Sequence, residues 1–198
     1  MTTSDGFLEG KFLIAMPSMP DERFSRTVIF MCAHSDTGAM GLVINRVAED
    51  LSLGGLLAQL NLLDGEDGEH TLATDDLDQQ PIHLGGPVET KRGFVLHSND
   101  YFSDGASVEV ARGICLTATV EILRAFANGT GPRNALLALG YAGWAGGQIE
   151  REIQANSWLH ADAPSQIIFE TDIDQRYEDA LALLGVDPSF LVGSAGHA

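Results

Sequence analysis

Apolar positions change their spacing several times along the chain, and each change marks an element. Phe12–Met16 is a short apolar run closed by Pro17-Ser-Met-Pro20, which predicts a first strand followed by a turn. Asp21 can cap one helical turn over Asp21–Ser25. Arg26–His34 contains Thr27, Val28, Ile29 and Phe30 and is apolar on both faces, so a central strand covered on two sides is expected. Ser35-Asp-Thr-Gly38 is turn chemistry, and Met40–Asn45 follows as the hairpin partner. The period then lengthens. Leucines at 53, 56, 57, 60 and 63 lie at helical spacing behind Ser52, a suitable N-cap.

Beyond this helix the pattern lapses. Val47–Thr90 holds no Lys or Arg against ten acids, and residues 64–80 have no apolar period, which predicts an exposed, acidic, mobile loop. Short strands are expected at 82–84, 93–97 and 107–111, continuing near 114–116. Thr119–Asn128 reads as a helix with Ile122, Leu123, Phe126 and Ala127 on one face and Gly129 at its end. An apolar strand over 134–141 runs into a glycine hinge and a helix from about Gly147 to Asn156. Tyr177, Ala180, Leu181 and Leu184 mark a last helix, stopped by Gly185, Val186 and Pro188. Strands cluster with few helices between them, which favours an α+β fold over a doubly wound parallel sheet. One domain over residues 1–198 is expected, with flexible tails at 1–9 and 190–198.

Composition narrows the classes of function. With 28 acids against 11 bases the net charge is −17, and Lys11 and Lys91 are the only lysines. Direct binding of nucleic acid rests on neutralising phosphates and is not expected. No apolar run reaches the eighteen or more residues that would span a bilayer, and Phe12–Met16 is too short for a signal-peptide core; a cytoplasmic protein is the expectation. Cys32 and Cys115 match no zinc spacing and are expected to be reduced and buried. The acidic run at 64–70 departs from the calcium-loop pattern, so neither metal nor cofactor is expected.

Three blocks carry a resemblance. They are Gly10-Lys-Phe-Leu-Ile-Ala-Met-Pro through Cys32, His34 and Gly41-Leu-Val-Ile-Asn-Arg46; Gly85-Gly-Pro-Val88 with Arg92-Gly-Phe-Val-Leu-His97; and Gly140-Tyr-Ala-Gly-Trp144 with Gly147-Gln-Ile-Glu150, Glu152 and Asn156-Ser-Trp-Leu159. In this order, across roughly residues 10–185, the chain resembles the YqgE/AlgH family of bacterial proteins. The resemblance implies a strongly bent, mostly antiparallel or mixed sheet approaching a split barrel, flanked by about four helices. It also implies a transcriptional-regulator label attached to some relatives. It brings no catalytic residues, and the chain shows neither a helix-turn-helix pattern nor a basic stripe.

Several residue groups could carry chemistry. Cys32 and His34 stand two apart on a strand and so share a face; with Asp21 or His97 as a third group they would form a nucleophile pair, and otherwise they are a core thiol and a hydrogen-bonded strand end. His34, His83 and His97 near strand ends lack short ligand spacing for zinc. The hinge over 140–148 has the glycines of a phosphate cradle but no following Lys-Ser or Lys-Thr, and Glu150 and Glu152 enter the helix early. On that helix Gln148, Glu152 and Asn156 form an i, i+4, i+8 stripe beside Ile149 and Ile153. Glu152 is expected to pair with Arg46 or Arg92. The functional form of this arrangement is a hinge pocket lined by Asn45, Arg46, Arg92, Trp144 and Gln148; its structural form is a network fixing the helix to the sheet. A non-enzymatic binding or regulatory module acting through a protein partner or a small ligand is the expected function. The alternative is an enzyme using Cys32 and His34 or the hinge pocket.

Overall fold

A computed structural model describes residues 7–63 and 77–185. In chain order its strands are β1 (Lys11–Ala15), β2 (Val28–Ser35), β3 (Gly38–Val43), β4 (Val47–Ser52) and β5 (Pro81–Leu84). They continue as β6 (Val88–Ser98), β7 (Ser107–Ala111), β8 (Ile114–Thr117), β9 (Ala135–Ala145) and β10 (Trp158–Asp162). The α-helices among the described residues are α1 (Leu53–Gln59), α2 (Val120–Ala127), α3 (Gln148–Gln154), α4 (Ser165–Phe169) and α5 (Arg176–Ala182). The chain is α+β, with mostly antiparallel pairing, and divides into two compact units: Met1–Asn45 with Ala142–Ala198, and Arg46–Tyr141.

In the first unit the strand order is β10-β1-β2-β3 followed by the last residues of β9, antiparallel throughout. β2 is buried along Val28–Cys32 because both faces are covered, as its unbroken apolar run demands. On one face Leu13, Ile29, Met31 and Val43 pack with Ile149 of α3 and with Trp144 and Trp158. Full burial of a residue such as Ile149 is worth about 1.5–3 kcal/mol. On the other face α5 lies against β1 and β2. There the Tyr177 hydroxyl donates to the Ala15 carbonyl at 2.7 Å, and the buried Arg176 donates to the carbonyls of Thr171 and Ile44. Burial pulls the Arg176 guanidinium down to about 10.

The second unit orders its strands β7-β8-β6-β9-β5-β4, with β5 parallel to β9 and the other pairs antiparallel. Ser52 caps α1 by accepting from the Gly55 N–H at 3.1 Å. Leu53 and Leu57 of α1, Ile82, Val95, Ile122 of α2 and Leu137 make its core. Helices α1, α2 and α3 all end alike, with a left-handed residue (Asn61, Gly129, Asn156) and a following N–H that bonds five residues back.

Some expectations need correction. Residues 7–9 are not a loose tail, since Leu8 is buried and its N–H is bonded to His34. Of the acidic segment expected to be mobile, 64–76 lies outside the described residues, as does 190–198, whereas Leu77 is buried and the Gln80 carbonyl accepts from Leu53 N–H. β4, β10 and α4 were not anticipated. Asn156 does not continue the polar stripe of α3; its φ of 57° makes it the terminator.

Candidate functional site

The glycine hinge is a packing device. At Gly140 (φ +72°) a Cβ would stand 2.5 Å from the Gly86 carbonyl oxygen, and at Gly146 one would stand 2.3 Å from that of Asp36. The first turn of α3 is occupied by its own chain: Gln148 Oε1 accepts from the Ala145 N–H at 3.0 Å, and Glu150 supplies negative charge. Glu152 then gathers three donors. Its Oε2 accepts from the indole N–H groups of Trp144 (2.9 Å) and Trp158 (2.8 Å), and its Oε1 accepts from Gln148 Nε2 (2.8 Å). The two indoles meet edge to face, 6.0 Å between ring centres, and Phe24 meets Trp158 in the same manner. The expected arginine partner of Glu152 is thus replaced by two indoles and an amide. Neutral donors satisfy a half-buried carboxylate without the desolvation of a second charge.

Of the residues expected to line a hinge pocket, Trp144 and Gln148 come together, both bonded to Glu152. Asn45 serves a backbone bridge, accepting from Val28 N–H and donating to the Arg26 carbonyl, both at 2.8 Å. Arg46 and Arg92 belong to the second unit. There Arg92 pairs with Glu89 at 3.1 Å and stacks over Phe94.

Cys32 and His34 do not form a pair. Met31 opposes Gly41 while Ala33 opposes Met40, so Cys32 is the extra residue of a β-bulge and the alternation inverts beyond it. His34 therefore falls on the side of Ile29 and Met31, where Nδ1 accepts from the Leu8 N–H at 3.0 Å and Nε2 bonds Glu150 Oε1 at 2.9 Å. A ring nitrogen that accepts an amide hydrogen holds no proton, so Nε2 carries it and donates to the carboxylate. Both nitrogens are committed, which leaves a structural clamp and no general base. Cys32 is buried, and desolvation, with Glu9 adding to it, pushes its thiol up to about 12. That is the wrong direction for a nucleophile.

The second unit holds a cavity that sequence reasoning missed, of about 230 Å³. Its floor is the face of β6 bearing Lys91, Gly93 and Val95, flanked by Thr117 of β8 and by Leu137 and Leu139 of β9. Leu56 of α1, Leu60 just past its end, and Val120 and Leu123 of α2 complete the lining. Gly93 explains the space: a Cβ built there meets nothing within 4 Å, so the strand presents no side chain where its neighbours present leucines. Leu60 and Val120 stay 45% and 44% exposed at the rim. The leucine stripe of α1, wider than its buried row of Leu53 and Leu57, was the available signal.

Behind this floor a buried polar chain runs in one direction. His97 Nδ1 donates to the Ser98 carbonyl (2.9 Å), so Nε2 accepts from the Thr117 hydroxyl (2.8 Å). Thr117 accepts in turn from the Ser107 hydroxyl (2.7 Å), which accepts from the Ser103 N–H (3.0 Å). Desolvation holds the His97 pKa below the ordinary value. Among the described residues no three His, Cys, Asp or Glu gather as a metal site would require, and no helix is long and apolar enough to cross a membrane.

An α+β protein with a mostly antiparallel sheet, an indole-bound carboxylate and an apolar cavity is the class these features define. The AlgH-like family pattern matches residues 12–189, and the chain belongs to that family. A UPF0301 protein of Bradyrhizobium diazoefficiens is 51% identical over 196 residues, covering 99% of this chain and 91% of the relative. One from a Methylobacterium species is 52% identical over 193 residues, covering 98% and 91%. The solution structure of the AlgH protein from Pseudomonas aeruginosa superposes with a TM-score of 0.76 at 40% identity over all of both chains. A crystal structure of a protein from Corynebacterium diphtheriae shares the fold, with a TM-score of 0.69 at 18% identity, covering 94% of this chain and 92% of that one.

Proposed function

We propose that this protein is a non-enzymatic, cytoplasmic binding module that takes a small, largely apolar ligand in the cavity of its second unit and signals occupancy to a protein partner. The cavity floored by Gly93 carries this reading, because apolar, concave and partly pre-formed spaces are where small ligands bind. The buried Cys32, its thiol pushed up to about 12, and the doubly committed His34 speak against the enzymatic alternative. A charge of −17 speaks against direct DNA contact, so an effect on transcription would run through the ligand or the partner.

Thermal denaturation with neutral alkyl probes such as 1-octanol tests the reading. A ligand at a hundredfold excess over its Kd adds about 2.7 kcal/mol of stability. For a chain of this size that raises Tm by roughly 5–10 °C. Gly93→Phe, which fills the floor, should abolish the shift. No shift with any apolar probe, or an equal shift in Gly93→Phe, would refute it.

A further inference from the structure

Resting on the reading of this cavity as a ligand site, we infer that its ligand is an aliphatic monoanion whose tail fills the cavity and whose anionic head binds the Lys91 ammonium. Lys91, Gly93 and Val95 of β6 all line the cavity, so a basic residue borders its apolar floor. Lys91 also lines a second, open depression with Pro87, Glu89, Thr90 and Arg92, which places it where apolar wall gives way to polar surface. Several other cations are paired, Lys11 with Asp162, Arg23 with Asp21, Arg26 with Glu178, Arg124 with Glu121 and Arg133 with Asp100, whereas Arg112 and Arg151 have no ion pair among the described residues but do not line the cavity. Among the described residues Lys91 makes no ion pair.

Two neighbouring acids are already engaged by arginines. Glu89 is taken by Arg92. Glu121, at the start of α2, is paired with Arg124 at 4.0 Å. Size sets the tail. A methylene takes about the ~30 Å³ share of a liquid water, so 230 Å³ holds a chain of roughly seven or eight carbons.

Isothermal titration of the full chain with octanoate, 1-octanol and octylammonium tests the assignment, alongside Lys91→Met and Gly93→Phe. Octanoate is expected to bind roughly five- to tenfold tighter than 1-octanol at low salt, the scale of one charge-assisted contact. Lys91→Met should remove that advantage, so that octanoate and 1-octanol bind alike, with the fold of the variant checked by circular dichroism. Affinity should rise about fourfold per methylene from butanoate to octanoate. Equal affinity for octanoate and 1-octanol, octylammonium binding best, or an unaltered octanoate affinity in Lys91→Met would overturn the head-group assignment while leaving the cavity as a ligand site. A flat chain-length series would overturn the placement of the tail. If no alkyl compound binds, or Gly93→Phe binds them all as well as the native chain, the ligand-site reading falls too.

Discussion

Glu152→Gln isolates what holds α3 to its sheet. A glutamine at 152 keeps one acceptor oxygen for the three donors now served by two. Turned toward the indoles, its oxygen accepts from Trp144 and Trp158, but its amide nitrogen then faces the Gln148 nitrogen, another donor. Gln148 cannot flip in response, because its oxygen is committed to the Ala145 N–H. Turned the other way, the new amide sets hydrogen against both indole hydrogens. The better arrangement loses one hydrogen bond and weakens two from charge-assisted, about 1.5–3 kcal/mol each, to neutral, about 0.5–1.5 kcal/mol. Summed and discounted for the half-exposed carboxylate, the loss is about 2–3 kcal/mol, or roughly 5–10 °C in Tm. The chain has two tryptophans, and both bond Glu152. Urea unfolding followed by intrinsic fluorescence therefore reads the cluster directly. A loss under about 0.5 kcal/mol, less than one ordinary hydrogen bond, with unchanged native emission would show that the carboxylate does not organise the indoles.

Three further outcomes follow from the geometry. Both thiols are buried, and desolvation raises each pKa, so neither Cys32 nor Cys115 should react with a disulfide reagent at pH 8 until denaturant is added; rapid native labelling of Cys32 would reopen the enzyme reading. Burial lowers the folded His97 pKa below 6.5, so the unfolded imidazole takes up its proton first: stability should be level above about pH 6.5 and fall below it as pH drops through the folded value. His97→Gln should flatten that part of the curve, and urea midpoints that decline identically in both proteins would refute the assignment. Gly93→Ala adds a methyl into open space on an extended strand and should stabilise the chain by about 0.5–1 kcal/mol, a gain checked by the same unfolding curves and contradicted by any loss.

What the sequence revealed depended on whether a residue's environment was local. The β2–β3 hairpin, the Ser52 cap and the amphipathic α2 and α5 were legible because apolar spacing and turn chemistry specify them over a few residues. β4 was not, because Val-Ala-Glu-Asp-Leu-Ser is polar at its centre and, among the described residues, pairs with β5 alone. Helical spacing placed Gln148 and Glu152 on one face of α3, but the indoles that bond Glu152 come from β9 and β10, which that period does not announce. Cys32 and His34 misled for one reason: alternation assumes an unbroken ladder, and a single bulged residue reversed it. The cavity stayed hidden because it consists of a missing side chain at Gly93, visible only once the leucines of two helices and a neighbouring strand stand around it.

The most direct test of the binding reading is an amide NMR titration with octanoate. If the cavity of the second unit is the ligand site, saturable shifts should concentrate at Lys91, Gly93, Val95, Leu123 and Leu137, while Trp144, Glu152 and Cys32 stay still. Shifts that never saturate, or that centre on the indole cluster and leave Gly93 unmoved, would contradict it.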